Sequence, residues 1–269
     1  MTTRLRLANG AEVAIRHAGG GALPVVMLHG YSMSLEVWER VLDRVPAAWT
    51  AHAYDLRGFG ASSRASGYSI AAHVADLAAV LDALGLARAV LVGHSMGGNI
   101  LQDFAAAHPH RVAALVLSDV AARSAPPPDP VAGDVARRIS SYGAAEVNRD
   151  ILRARMPAYF APGGVSDAVL DRFAALGARA DPAALRDMLA ASYSGAPITA
   201  AELGRIEAPV LMVFGALDRV TPPDNGSALL QVIPHARLRL IEGAGHTPMW
   251  ECPEEWLACV DDFLRSSLG

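Results

Sequence analysis

The apolar run Ala89-Val90-Leu91-Val92 passes directly into Gly93-His94-Ser95-Met96-Gly97-Gly98, and a helical pattern follows over residues 99–107. Four apolar residues without polar alternation suit a strand buried on both faces, and such strands belong to parallel sheets covered by helices. The same alternation recurs along the chain. Pro24-Val25-Val26-Met27-Leu28 reads as a buried strand, residues 35–45 as a helix, and residues 51–54 as a strand. Residues 70–84 carry Val74, Leu77, Leu81 and Leu84 on one stripe, with Gly85 as a stop. Residues 112–117, 210–214 and 238–241 are further strands, and a closing helix runs over about 253–264. Leu5-Arg6-Leu7 and Val13-Ala14-Ile15, joined at Asn9-Gly10, read as an opening hairpin. Repeated strand–helix units of this kind predict an α/β fold.

One stretch breaks the alternation. From Ser124-Ala125-Pro126-Pro127-Pro128-Asp129-Pro130 to about residue 200 the pattern is helical, without a convincing strand. The chain therefore divides into a first core segment, 1–120, a helical cap, 121–205, and a second core segment, 206–269.

The Ser95 sequence has the form Gly-x-Ser-x-Gly at a strand-to-helix junction, the sharp turn that exposes a nucleophilic hydroxyl. The pattern is short, and an inert serine in a small-residue turn is the bland alternative; the flanking strand and helix favour the nucleophile. A serine hydroxyl needs a base, and the base an orienting acid. Two histidines follow the cap. His235 lies in a surface turn before a strand, whereas His246 lies in Gly243-Ala244-Gly245-His246-Thr247, just after the last strand. His246 is the expected base. Asp218, after the strand at 210–214, is the expected acid; Asp119, after the strand at 112–117, competes with it, and Asp224 reads as a helix cap. Two backbone donors should hold a developing oxyanion. The N–H of Met96 is one; the other comes from His29-Gly30-Tyr31-Ser32, with Tyr31 favoured over Ser32, and His29 reads as structural.

With these motifs in order, together with Asp55-Leu56-Arg57-Gly58-Phe59-Gly60-Ala61-Ser62, Gly215-Ala216-Leu217-Asp218 and Gly245-His246…Glu251-Cys252-Pro253, the chain resembles the α/β-hydrolase superfamily over nearly its whole length. It looks most like small capped bacterial members: carboxylesterases, 3-oxoadipate enol-lactonases and the cofactor-free haloperoxidase/perhydrolase group. The resemblance implies an eight-stranded, mostly parallel sheet flanked by helices, with a helical cap inserted after strand six. A serine nucleophile argues against haloalkane dehalogenases and epoxide hydrolases, which use Asp there. The His29-Gly30 loop lacks the Gly-rich extension of hormone-sensitive-lipase types and differs from the Gly-Pro-Gly loop of many C–C hydrolases.

Composition excludes other chemistries. All 23 basic residues among the 269 are arginine, so Schiff-base, pyridoxal-phosphate, Ser-Lys and P-loop chemistry is ruled out. Net charge is −4 and no basic stripe occurs, which argues against a nucleic-acid partner. Mean hydropathy is +0.25, yet no segment reaches the roughly 18 apolar residues of a membrane span. No membrane partner is expected, and the chain start lacks a secretory pattern, so a cytoplasmic location is the expectation. Gly58-Phe59-Gly60 lacks the rest of a dinucleotide fingerprint, and no His-Glu-x-x-His occurs among the nine histidines. No metal and no cofactor are expected. Cys252 and Cys259, if both helical, lie about 10 Å apart, too far for a disulfide.

Met33, Trp38, Met156, Tyr159, Phe160, Tyr193 and Met249 are candidates to line a hydrophobic pocket, or else to pack the cap on the core. Arg153 and Arg155 read as a solvated face. The expected function is hydrolysis of a small-molecule carboxylic ester or lactone through an acyl-enzyme on Ser95, by a monomer or a homodimer. The alternatives are a lyase or cofactor-independent oxygen-using enzyme on the same triad, and a ligand receptor whose triad turns over slowly.

Overall fold

In chain order the computed structural model has strands β1 (Thr2–Arg6), β2 (Glu12–Gly19), β3 (Leu23–Leu28), β4 (Trp49–Tyr54), β5 (Ala89–His94), β6 (Val112–Ser118), β7 (Val210–Gly215) and β8 (Arg237–Ile241). It describes the chain apart from residues 122–128 and 195–197 and the side chains of 129–134 and 193–194. All eight strands form one sheet in the order β1-β2-β4-β3-β5-β6-β7-β8. The first two pairings, β1–β2 and β2–β4, are antiparallel and the rest are parallel. The runs without polar alternation become the centre: every residue of β5 and of β7 is buried. The edge strands are mostly exposed and carry Arg4 and Arg6 on β1, Arg237 and Arg239 on β8. Charged edges of this kind discourage pairing with another chain.

The helices are α1 (Glu39–Leu42), α2 (Ile70–Ala83), α3 (Met96–Ala107), α4 (Asp129–Ser141), α5 (Ala145–Tyr159), α6 (Asp167–Gly177), α7 (Pro182–Ser194), α8 (Ala200–Leu203), α9 (Asp224–Leu230), α10 (Pro248–Glu251) and α11 (Pro253–Leu268). Helix α2 starts where the Ser69 side chain accepts the Ala72 N–H, and ends before Gly85 at φ +70°. Helix α3 packs on β5 and β6 with α2 beside it; α11 packs on β6, β7 and β8 with α1 beside it. The helices α4 to α8 form the excursion between β6 and β7.

Three local expectations are adjusted. The opening hairpin is present, but its connection spans residues 7–11, because Asn9 Oδ1 takes the Ala11 N–H and Leu7 N–H bonds Ala11 O. Residues 35–45 give a short 3-10 turn, Leu35–Trp38, followed by α1, not one continuous helix. The Leu35 N–H is drawn to Asp55 Oδ1 at 2.7 Å, which anchors this turn to the end of β4. Asp224 opens α9 as its first residue, with Pro223 at the cap. Among the described residues no helix is long and apolar enough to cross a membrane.

The helical excursion is fastened to the sheet at several points. Asp181 N–H donates to Gly58 O at 2.7 Å and Tyr68 Oη donates to Asp181 Oδ2 at 2.9 Å. Tyr31 Oη donates to Leu185 O at 2.9 Å, and Arg172 pairs with both oxygens of Glu39.

On α11, Trp256 is fully buried, with its ring 5.7 Å from that of Trp38. Removing so large a side chain leaves a cavity that the sheet cannot close. Trp256→Ala is expected to cost about 3–5 kcal/mol of unfolding free energy, read as a lowered urea midpoint.

Candidate active site

Helix and strand ends converge at one edge of the sheet. The loops after β3, β5, β6, β7 and β8 carry Tyr31, Ser95, Asp119, Asp218 and His246 in turn. Strands β4 and β5 lie on opposite sides of β3, so chain direction across the sheet reverses between β3 and β5. A crevice opens at such a switch point outside the carboxyl ends of the strands, here between the Tyr31 loop and Ser95.

Ser95 adopts φ 50°, ψ −117° as the cap residue of α3, a conformation a non-glycine residue rarely holds. Its N–H donates to Ser118 O at 2.9 Å and its carbonyl accepts the Asn99 N–H at 3.1 Å. Glycine at 93 and 97 makes the turn possible by close approach. A Cβ on Gly93 would sit 2.6 Å from Gly98 N, and one on Gly97 would sit 2.6 Å from Leu28 O. The other non-glycine residues at positive φ among those described are Ser32 and Asp119, both at 55°. All three follow the carboxyl ends of neighbouring strands, so backbone strain is concentrated at this edge.

His246 Nδ1 lies 2.7 Å from Asp218 Oδ2, with both side chains fully buried. A carboxylate only accepts, so Nδ1 carries the proton and Nε2 presents its lone pair. Asp218 Oδ1 accepts the N–H groups of Val220 at 2.7 Å and Thr221 at 2.9 Å. Nε2 of His246 is buried without a hydrogen-bond partner among the described residues. The structure therefore joins His246 to Asp218 and leaves a Ser95–His246 hydrogen bond unmade. A ring nitrogen so oriented can take a proton from a hydroxyl brought within reach.

Two further histidines hold the frame. His94 Nε2 donates to His246 O at 2.7 Å, linking the residue before Ser95 to the loop of His246. Complete burial holds the His94 imidazole well below its usual value, so it stays neutral. His29, likewise buried and pushed down to about 4, accepts the Leu56 N–H through Nε2 and donates from Nδ1 to Gly30 O. It braces the loop that carries Tyr31. Met33 N–H also bonds Gly30 O, at 3.3 Å. Met96 is the first residue of α3, and the first N–H groups of a helix have no acceptor within it.

Among the pocket candidates, the Tyr159 ring packs edge-on to His246 at 5.3 Å. Met33, Met156 and Met249 are buried, Phe160 packs edge-to-face against Phe173 at 5.4 Å, and Trp38 packs on Trp256. The side chain of Tyr193, on α7, lies outside the described residues. His235 is exposed beside Ala208 O, away from this edge, and Arg153 pairs with Asp167 and Asp171 at the surface. Two open grooves of about 440 and 400 Å³ lie elsewhere, one by Asp82 and Arg111, the other along β8 and α11. Asp119, Asp218 and His246 are close enough together to be weighed as cation ligands. Their oxygens and Nδ1 are already engaged in the hydrogen bonds of this site, which fits an oriented imidazole better than a coordinated ion.

Glu251 is a residue whose part was not legible. Its Oε1 accepts the Ala161 N–H at 2.6 Å; its Oε2 accepts the N–H of Gly245 at 3.0 Å and the Thr247 hydroxyl at 3.0 Å. One carboxylate thus ties the connection between α5 and α6 of the helical excursion to the loop on which His246 sits. Its spacing from His246 is visible in sequence, but its bond to residue 161 joins positions 90 apart.

Comparison with known proteins identifies the family. Residues 24–152 match the family model described as the alpha/beta hydrolase fold. The chain is 30% identical over 252 residues to a pimeloyl-[acyl-carrier protein] methyl ester esterase of Neisseria meningitidis serogroup B, covering 91% of this chain and 93% of that protein. Among solved structures, a thermophilic esterase from Thermogutta terrifontis superposes with TM-score 0.85 at 26% identity, covering 99% of each chain. The enol-lactonase from Burkholderia xenovorans LB400 also gives 0.85 at 26% identity, covering 98% of this chain and all of that one.

Truncating Glu251 strands several backbone donors in a mostly buried place. Glu251→Ala is expected to cost about 2–4 kcal/mol, because each unsatisfied buried donor costs about 1–3 kcal/mol. Glu251→Gln keeps one acceptor oxygen and is expected to lose less; urea unfolding of both variants checks the order.

Proposed function

Because the chain belongs to the alpha/beta-hydrolase family, we propose that it is a cofactor-free serine hydrolase of a small-molecule carboxylic ester or lactone, with Ser95 as nucleophile, His246 as base and Asp218 as orienting acid. The observation that carries the reading is the buried 2.7 Å bond from His246 Nδ1 to Asp218, which leaves Nε2 as the one basic nitrogen of the ring. Ser95 supports it by its position in a strained turn at the positive end of α3.

In this reading His246 Nε2 takes the Ser95 proton as Oγ attacks the acyl carbon. The carbonyl oxygen becomes an oxyanion held by the N–H groups of Met96 and Tyr31. His246 then protonates the leaving alkoxide, which in a lactone stays tethered to the acyl group as the ring-opened hydroxyl, and an acyl-enzyme remains. Water deprotonated by His246 attacks the acyl-enzyme and returns Ser95 to its hydroxyl form. Asp218 keeps the imidazole in the tautomer that can do this and stabilises the imidazolium. Esterase and enol-lactonase activity among the relatives points to the same electrophile, an acyl carbon bonded to oxygen. The segment 121–205 serves as a cap over the core formed by 1–120 and 206–269, and its Tyr159 packs beside His246 as part of a pocket wall.

A panel of p-nitrophenyl esters and lactones of graded acyl length tests the activity. Ser95→Ala is expected to lower kcat by about four to six powers of ten with the fold intact by circular dichroism, because the triad acts as a unit. Near-wild-type rates in that variant, or no turnover across the panel, would sink the reading. A larger loss in His246→Ala than in Ser95→Ala would instead favour chemistry in which the imidazole acts without a serine ester.

A further inference from the structure

Asp119 stands beside this set without a part in the mechanism above. Its side chain is fully buried. Three elements fix it in place. Its N–H donates to Val213 O at 2.9 Å, and its Oδ1 accepts the N–H of Gly215 at 2.9 Å, both on β7. Its Oδ2 lies 2.8 Å from Ser118 Oγ, which in turn accepts Trp256 Nε1 of α11 at 3.3 Å. The backbone is held at φ 55° to aim it so. An oxygen of Asp119, an oxygen of Asp218 and a ring nitrogen of His246 all lie within 4.8 Å of one another.

Two adjacent carboxyl groups removed from water do not both ionise; one keeps a proton. Hydrogen bonds decide which. Asp218 accepts three N–H groups, from Val220, Thr221 and His246. Asp119 accepts one N–H and one hydroxyl. The charge therefore settles on Asp218 and the proton on Asp119. Burial, and then the Asp218 charge, also push the Asp119 carboxyl well above the usual carboxylate range. The titratable groups facing it are Asp218, from the loop after β7, and His246, from the loop after β8, with the ring of His94, on β5, 4.8 Å from that of His246. Ser118 and Trp256 are uncharged.

We propose that Asp119 is a positioning residue for this reaction: a neutral carboxylic acid that donates a hydrogen bond to the Asp218 carboxylate and so limits how strongly Asp218 holds a proton on His246. The inference rests on the assignment of Asp218 and His246 above. It makes the site a carboxylic acid–carboxylate–imidazole chain, in which the outer acid keeps His246 free to act as a base at lower pH than a lone Asp218 would allow.

The test is the pH profile of kcat/KM on the best ester of the panel, whose acid limb reports protonation of the essential base. Removing a neutral donor makes Asp218 hold the imidazolium more tightly, so the midpoint rises. Removing an ionised neighbour takes a negative charge from beside His246, so the midpoint falls. Asp119→Leu is expected to raise the midpoint by about half a unit or more and to lower kcat with little change in KM. Asp119→Asn keeps an N–H donor of similar shape; its kcat is expected to fall several-fold, with the midpoint unmoved or slightly raised. A midpoint that falls in either variant, or one unmoved in Asp119→Leu, overturns the proposal. If Asp119→Leu does not fold, carboxyl-labelled aspartate NMR of the wild-type protein decides. At about pH 8, above the value of about 6 to which burial raises Asp55, one aspartate should remain protonated, and its signal should vanish in Asp119→Asn. A wild-type spectrum with every aspartate ionised overturns the proposal. Asp218→Asn separates this failure from that of the wider reading. If Asp218→Asn keeps its rate while Asp119→Asn loses it, Asp119 is itself the acid, and both assignments fall. If Asp218→Asn loses its rate and the Asp119 midpoints fall, the positioning role alone is lost.

Discussion

Parallel pairing levels the carboxyl ends of β3, β5, β6, β7 and β8, and everything at the site depends on that. Leu28 pairs with Gly93, Gly93 with Leu117, Ser118 with Val213, and Gly215 with Ile241. Each strand therefore releases its loop at nearly the same height. Residues separated by more than 200 positions, from Tyr31 to His246, meet without long loops having to reach for one another. A slip of one residue in any of these registers would turn a strand's side chains to the opposite face and carry its loop out of line. The continuous apolar core of β5 and β7 holds the level of the site.

The polar groups at that edge are buried, and burial decides their states. A charge removed from water needs donors. Asp218 has three, which fits a carboxylate. His29 and His94 each have one acceptor for one ring proton and are held neutral by burial, so they act as struts that carry no charge near the reacting atoms. Glu251 extends the frame to the helical excursion. Strain has the same address: Ser32, Ser95 and Asp119 hold positive φ at three adjacent strand ends. The large apolar core behind them supplies the stability that tolerates it.

Sequence carried the architecture because it is written in local patterns. Buried strands are runs without alternation, helices have a 3.6-residue stripe, and the turn at Ser95 needs glycine on both sides. These placed all eight strands and the helical excursion, and they brought Ser95, Asp218 and His246 to strand ends. The chain also forms the antiparallel β1–β2–β4 side, where only the hairpin was legible, because the pairing of β2 with β4 joins segments far apart. What stayed hidden was similarly non-local. Glu251 reaches Ala161, Trp256 reaches Ser118, and Tyr31 reaches Leu185, and no spacing in the sequence announces these pairs. Asp119 and Asp218 were legible as rival candidates for one position. The sequence offers no sign that both occupy the same small space, since that follows from the adjacency of β6 and β7.

That adjacency changes how the two aspartates are understood. Read separately, each is a candidate acid at a strand end, and choosing between them is a matter of chain order. Placed together, they form a pair whose members have different surroundings: backbone and imidazole donors around Asp218, a hydroxyl and one backbone donor around Asp119. Environment, and not residue type, sets one as the base form and the other as the acid form. The sheet that levels the strand ends thus does more than gather functional groups. By setting β6 against β7 it fixes the distance between two carboxyls, and with it the charge that faces His246.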